Sequence, residues 1–295
     1  MDEIRVLAPA TVSNVVCGFD CLGFALNEPF DEVHVRKIPE REIRIVNRDE
    51  FELPSDPTKN VAGVALQAML DAVGADFGFG IEMTKYIKPG SGIGSSAASS
   101  CGAVAAANRL LGDRFSKREL VEFAMEGEKL ASGAKHADNV APCIFGGFVL
   151  IRSVDPLDVV PLGFPPLFVT IIHPQIQIKT ADARAILPTE VALGTAVQQW
   201  SNLGAFVAAL SQGDYELLSR SMKDFIVEPA RKSLIPDFEA VKAASIKAGA
   251  LGGGISGSGP SMFMLSKDEE TAKKVETAMR QVYSQTKLGF RTYVS

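Results

Sequence analysis

Pro89-Gly90-Ser91-Gly92-Ile93-Gly94-Ser95-Ser96 stands between a strand-like segment at residues 80–86 and an alanine-rich run at 97–111 that suits a helix. Strand, glycine loop and helix in that order make a seat for a polyphosphate. Glycines let backbone N–H groups approach phosphate oxygens, and the positive end of the following helix faces the charge. The loop has neither the Gly-Lys-Ser/Thr ending of a P-loop nor the G-x-G-x-x-G spacing of a dinucleotide fold. It is a third kind of loop, and taken alone it also fits a glycine- and serine-rich turn that binds nothing.

Upstream, residues 4–7, 32–37 and 43–47 alternate as strands do, and residues 59–73 carry apolar side chains at helical spacing up to Gly74. Downstream, Ser116 is placed to cap a helix over 117–131; a loop at 133–142 and an apolar strand pair at 147–162 follow. A short apolar strand at 167–173 opens the second half. Helices are expected at 181–186, 191–210 and 215–225, and another after Pro236 that ends near Gly249. A glycine-rich strand at 255–265, a helix at 269–283 and a strand at 290–294 complete the chain. No fixed period or low-complexity tract suggests a solenoid or a linker. A chain of 295 residues exceeds what one core usually supports, so two domains are expected, 1–164 and 165–295, with a cleft between them.

The hydrophobic share of 46% and the charged share of 22% are those of a packed globular protein. A net charge of -5 gives no basic field, which argues against nucleic acid as a partner. No stretch approaches the roughly twenty apolar residues of a membrane helix, and the start Met-Asp-Glu-Ile-Arg lacks a signal-peptide layout, so a cytoplasmic protein without a membrane partner is expected. Cys17, Cys21, Cys101 and Cys143 show no zinc-ligand pattern beyond one C-x3-C pair without nearby histidines, and read as buried free thiols.

Other segments narrow the reading. The run from Pro89 through Gly92-Ile93-Gly94-Ser95-Ser96-Ala97-Ala98-Ser99 resembles the phosphate-binding motif of the GHMP kinase superfamily, named for galactokinase, homoserine kinase, mevalonate kinase and phosphomevalonate kinase. Pro9-Ala10-Thr11-Val12-Ser13-Asn14 and Gly253-Gly254-Ile255-Ser256-Gly257-Ser258-Gly259-Pro260 resemble its first and third motifs, in the same order. Within the superfamily, Asn14-x3-Gly18-Phe19-Asp20, Glu128-x2-Ala131-Ser132-Gly133 and His136-x-Asp138-Asn139-Val140-Ala141-Pro142 are similar to the homoserine kinase branch. Ile93, Cys17 and Ser261 depart from the commoner residues, and none of these departures removes a charged or metal-binding side chain.

The resemblance implies an α+β, two-domain GHMP kinase fold. Its N-terminal domain would be of the ribosomal protein S5 domain-2-like type with a left-handed βαβ unit, against the usual right-handed rule, and its C-terminal domain a ferredoxin-like α/β sandwich. It implies ATP-dependent phosphorylation of the side-chain hydroxyl of L-homoserine in threonine biosynthesis, by a homodimer. Kinases of the same type acting on mevalonate, shikimate or a sugar are the nearest alternative; a non-catalytic metabolite-binding regulator is a more distant one.

The resemblance also distributes roles. ATP would be held by Asn60 at the adenine and by Lys88, Pro89, Gly90, Ser91, Gly92, Ile93, Gly94, Ser95, Ser96, Ala97, Ala98 and Ser99 at the phosphates. Mg²⁺, which favours hard oxygen ligands and keeps several waters, would take Ser96 and Glu128. The plain alternatives are a solvated helix-face charge for Glu128 and helix caps for Ser96 and Asn60. An amino-acid substrate needs an anion clamp and a cation partner, for which Asn14, Asp20, His136, Asn139, Thr180, Arg184 and Arg231 are the candidates; surface ion pairing is the bland reading of each arginine. His136 and Asp138 are titratable, yet the resemblance places the amide of Asn139 nearest the reacting hydroxyl. An amide is no general base. The expected mechanism is therefore direct attack, with Asn139 and Arg184 as the catalytic pair and the hydroxyl proton leaving late through phosphate or water.

Overall fold

The computed structural model describes residues 2–295. Alternating apolar residues build β1 (Glu3–Ser13) and β2 (Leu22–Ile38), a long antiparallel pair whose register shifts between Pro9 and Thr11. Next come β3 (Ile43–Asn47), α1 (Val61–Val73) and β4 (Gly78–Thr84), in which β3 and β4 pair in parallel across the α1 crossover. The glycine loop then leads into α2 (Ser95–Leu110), followed by α3 (Lys117–Ser132), α4 (Val140–Phe145), β5 (Phe148–Val154) and β6 (Leu157–Leu162). The strands form one mixed sheet in the order β3-β4-β2-β5-β6, with β1 also on β2.

The second half is β7 (Phe168–Pro174), α5 (Thr180–Ala185), α6 (Leu193–Gln212), α7 (Tyr215–Ser221), α8 (Val227–Arg231), α9 (Phe238–Lys247), β8 (Gly252–Ile255), β9 (Met262–Ser266), α10 (Glu269–Ser284) and β10 (Phe290–Val294). Its antiparallel sheet runs β10-β7-β9-β8, the ferredoxin-like order, with α5 to α9 inserted in the first crossover.

Three apolar clusters hold these layers. One packs α1, α2 and α3 on the first sheet through Val33, Leu66, Met69, Phe79 and Val104, and one packs α9 and α10 on the second through Phe238, Val241, Met264 and Met279. The third joins the halves: Val12, Leu22, Phe24 and Phe148 meet Ile171, Phe206 and Phe263. Phe24 lies 4.6 Å from Phe148 and 5.7 Å from Phe263, centroid to centroid.

Local chemistry explains where the elements depart from the pattern-based expectation. The expected single strand at 255–265 is two strands, because Gly257 and Gly259 take φ of 59° and 80° and reverse the chain between β8 and β9. The helix expected to reach Phe225 stops at Ser221, since the Asp224 carboxylate instead accepts the N–H groups of Ile226, Val227 and Glu228 and starts α8. Residues 133–142, expected as a loop, include the first turn of α4. All four cysteines are free, but only Cys17 and Cys101 are buried; Cys21 and Cys143 are partly exposed. Ser116 caps α3 as expected, in a reciprocal capping box with Glu119. Among the described residues no helix is long and apolar enough to cross a membrane.

Candidate active site

The three glycine-rich segments meet. Thr11 N–H donates to Ile93 O at 3.2 Å, Gly257 N–H donates to Ser13 O at 3.0 Å, Ser256 Oγ donates to Gly92 O at 2.8 Å and Ser261 Oγ donates to Ser91 O at 2.6 Å. Close approach explains two of the glycines. A Cβ on Gly92 would stand 2.6 Å from Gly259 O, and one on Gly94 would stand 2.0 Å from Thr11 Oγ1; both residues have positive φ, 82° and 72°. Gly94 is also the N-cap of α2, so backbone N–H groups at the start of that helix are left free of side-chain capping.

Beneath the loop, the buried Lys85 ammonium pairs with Asp31 and donates to Ser95 O at 2.9 Å and to Ser99 Oγ at 2.8 Å. Asp31 in turn accepts the N–H groups of Tyr86 and Ile87 at 2.8 and 2.9 Å. This buried pair fixes the path from β4 through the loop to α2.

A cavity of about 360 Å³ opens above. Of the residues expected to hold ATP, it is lined by Asn60, Pro89, Gly90, Gly92, Gly94, Ser95, Ser96 and Ser99. Ser91, Ile93, Ala97 and Ala98 lie behind the lining and are buried. Lys88 also stands outside the lining, because its ammonium donates to Gln175 Oε1 at 3.0 Å. Gln175 continues to the buried His173, whose Nδ1 lies 3.1 Å from Gln175 Nε2. Burial, then the charges of Lys88 and Arg291, push the His173 imidazole down to about 4. Asn60 does cap α1, through Oδ1 to Ala62 N–H at 2.9 Å, and it faces the cavity as well.

Glu128 is no solvated charge: it is 7% exposed and bonded to the Ser96 side chain. Burial, offset in part by Ser96 and Lys85, raises its carboxyl to about 7. One carboxylate and one hydroxyl thus adjoin at the helix N-terminus, the hard-oxygen donor set that Mg²⁺ takes alongside phosphate and water. Among the described residues no cluster of three or more His, Cys, Asp or Glu side chains suits a metal.

The far end of the cavity gathers Asn14, Asp20, His136, Asp138, Asn139, Thr180, Arg184 and Arg231. Asn14, at φ 57°, accepts Asp20 N–H at 2.8 Å and donates to Gly257 O at 3.0 Å. Arg184 holds both Asp20 oxygens, at 2.8 and 3.1 Å, and His136 Nδ1 lies 3.8 Å from the same carboxylate. Arg231 is 2% exposed; its guanidinium donates to Ala183 O at 2.9 Å and to Gly257 O at 3.2 Å, and no carboxylate among the described residues pairs with it. Burial, then the neighbouring Arg184 charge, lowers its pKa. Thr180 Oγ1 accepts a 3.3 Å bond from Ser258. Asn139 sits between the two ends, its Nδ2 donating to Ser13 Oγ at 2.9 Å and its Oδ1 accepting from Thr11.

Lys85 and Asp138 also line the cavity, and neither has a role assigned from sequence. Nothing local in the sequence pairs Lys85 with Asp31, 54 positions away. Asp138 is 4% exposed, with its carboxyl raised by burial and then by the Asp20 charge, and its adjacency to Asn139 was the available signal.

N–H groups free of side-chain capping at one end of a cavity, and at the other a buried guanidinium with no carboxylate partner among the described residues, suit a small-molecule phosphotransferase. Residues 60–147 match the family model for the GHMP kinases N terminal domain, and residues 206–285 match that for the GHMP kinases C terminal. The chain is 47% identical to the homoserine kinase of Chlorobium phaeobacteroides, over 96% of this chain and 92% of that one. It is 38% identical to that of Pyrococcus abyssi, over 97% and 94%. The crystal structure of homoserine kinase from Cytophaga hutchinsonii superposes with a TM-score of 0.97 at 51% identity, covering 100% of this chain and 95% of that one. The mevalonate kinase of L. major, at a TM-score of 0.75 and 16% identity, shares the fold. This chain belongs to the GHMP kinases and, within them, to the homoserine kinase family.

Proposed function

We propose that the chain transfers the γ-phosphoryl group of ATP to the side-chain hydroxyl of L-homoserine, giving O-phospho-L-homoserine for threonine biosynthesis. The observation that carries the acceptor is Arg231: a buried guanidinium with no carboxylate partner among the described residues, facing the same cavity as the glycine loop, is a ready seat for an α-carboxylate. The Asp20 carboxylate, shared by Arg184 and His136, serves the α-ammonium, and Thr180 and Asn14 complete the wall. A mevalonate or sugar acceptor would have no use for a paired arginine clamp with an adjacent carboxylate.

The loop residues Pro89 to Ser99 and the α2 N-terminus hold the phosphates by backbone donors, and Asn60 holds the base. Lys88, tied to Gln175, contributes charge from the loop's edge. Ser96 and Glu128 would hold Mg²⁺, which would supply charge neutralisation at the transferring phosphoryl group. The homoserine oxygen attacks phosphorus, the bond to the β-phosphate oxygen breaks, and the hydroxyl proton leaves to phosphate or water. Asn139 orients the hydroxyl, and Arg184 adds positive charge at the acceptor side. Asp138 is the nearest alternative proton acceptor, because its raised carboxyl is a better base than a solvated one.

On this reading the chain divides into an ATP-binding part, 1–164, and a C-terminal part, 165–295. Four unbridged cysteines suit the reducing cytoplasm, and the exposed Leu193, Val197 and Trp200 on one face of α6 suit self-association as a homodimer. The deciding experiment is a coupled assay with ATP and Mg²⁺ on a panel of homoserine, mevalonate, shikimate and galactose. Phosphorylation of homoserine is expected; turnover of mevalonate alone would overturn the proposal.

A further inference from the structure

Phe19 lies in the Gly18-Phe19-Asp20 motif, yet the mechanism above gives it no task. Its ring centre stands 5.2 Å from the Arg184 guanidinium carbon and also 5.2 Å from that of Arg231. Two arginines that would otherwise repel are thus brought to one ring. They are held in different ways: Arg184 is paired with Asp20, whereas Arg231 has, among the described residues, only two carbonyl oxygens and the ring.

The difference matters chemically. A carboxylate beside Arg231 would stabilise the buried cation but also occupy the fork that a substrate carboxylate must use. An aromatic face attracts the cation through its quadrupole without neutralising it or taking up its N–H donors. Phe19 is also well placed to transmit rigidity. The next residue, Asp20, is bound by its N–H to Asn14 Oδ1 and by its carboxylate to Arg184, and Asn14 shares the Gly257 carbonyl with Arg231.

We propose that Phe19 is the positioning residue of the carboxylate clamp: it holds Arg184 and Arg231 at the spacing an α-carboxylate needs while leaving the charge of Arg231 available. This rests on the homoserine reading above. A phenyl ring carries no group that moves a proton or a phosphoryl group, so its effect belongs in acceptor affinity and not in the chemical step.

The test is steady-state kinetics on the full-length Phe19→Leu, Phe19→Tyr and Phe19→Trp variants, with L-homoserine and ATP varied separately. Phe19→Leu is expected to raise the homoserine KM about tenfold, with kcat within about threefold of the parent and the ATP KM unchanged, as loss of a desolvated cation–π contact predicts. Phe19→Tyr or Phe19→Trp is expected to restore the KM. A leucine variant with the parent KM overturns the proposal, as does a leucine variant whose ATP and homoserine KM rise together. Failure of both aromatic variants to restore acceptor affinity overturns it too, and that comparison still decides if the leucine variant does not fold. Failure of the homoserine reading itself looks different, since the unmodified enzyme would then not turn over homoserine.

Discussion

The Thr11 hydroxyl donates a 2.8 Å hydrogen bond to Oδ1 of Asn139, 128 positions away, and Ser13 accepts from the other end of the same amide. The amide proposed to orient the reacting hydroxyl is thus locked from both sides by one strand. Thr11→Val is expected to free the amide and lower kcat about tenfold, the value of one lost orienting hydrogen bond, with both KM values unchanged and Thr11→Ser near normal. Asn139→Ala is expected to lower kcat further while ligand affinities, read by calorimetry, stay intact. An equal loss in affinity would reduce Asn139 to a binding contact.

Glu128 and Ser96 give a separate prediction for the cation. Glu128→Gln keeps the shape and the bond to Ser96 but removes the charge, so the Mg²⁺ concentration for half-maximal activity is expected to rise by an order of magnitude or more. A magnesium titration checks it, and an unchanged half-saturation would exclude Glu128 as a ligand.

His173 sets an acid limit on stability. Its pKa falls from 6.5 to about 4 on folding, so the neutral ring's contribution is fully present above pH 6.5 and is lost as pH falls through 4. The loss amounts to about 3 kcal/mol at most. His173→Gln is expected to flatten the dependence of denaturation midpoint on pH between 6.5 and 4, and an equally steep curve would assign the acid sensitivity elsewhere.

Gly92 tests the contact between the loop and the third motif. Gly92→Ala forces a left-handed alanine whose Cβ would stand 2.6 Å from the Gly259 carbonyl oxygen, at an expected cost of about 2 kcal/mol or more. ATP affinity should fall with it. Ser256→Ala, which removes only the bond to Gly92 O, should cost about 1 kcal/mol. Thermal melts with and without ATP separate the two.

Much of this architecture could be read from residues in order, because its signals are local: the capping box at Ser116, the apolar period of residues 59–73 and the glycine loop before α2. What escaped was non-local or conformational. Lys85 reads as one more surface lysine until β2 brings Asp31 under it, and the β8–β9 reversal depends on positive φ at Gly257 and Gly259 inside a run that alternates like one strand. Lys88 and Lys85 are three residues apart and chemically alike, and only the fold buries one against Asp31 beneath the loop and turns the other toward Gln175. That Asn14, Asp20, Arg184 and Arg231 line one cavity was suggested by family likeness; their contacts through Phe19 and Gly257 were not.

The pairing of Asp20 with Arg184 joins positions 164 residues apart. If this pair holds the acceptor as proposed, a change of acceptor in a descendant of this enzyme cannot be inherited by replacing one contiguous stretch of gene. A chimera that carried residues 165–295 from a relative with a different acceptor would bring new arginine positions to an old Phe19-Asp20 corner, and specificity would follow neither parent until both segments had changed together.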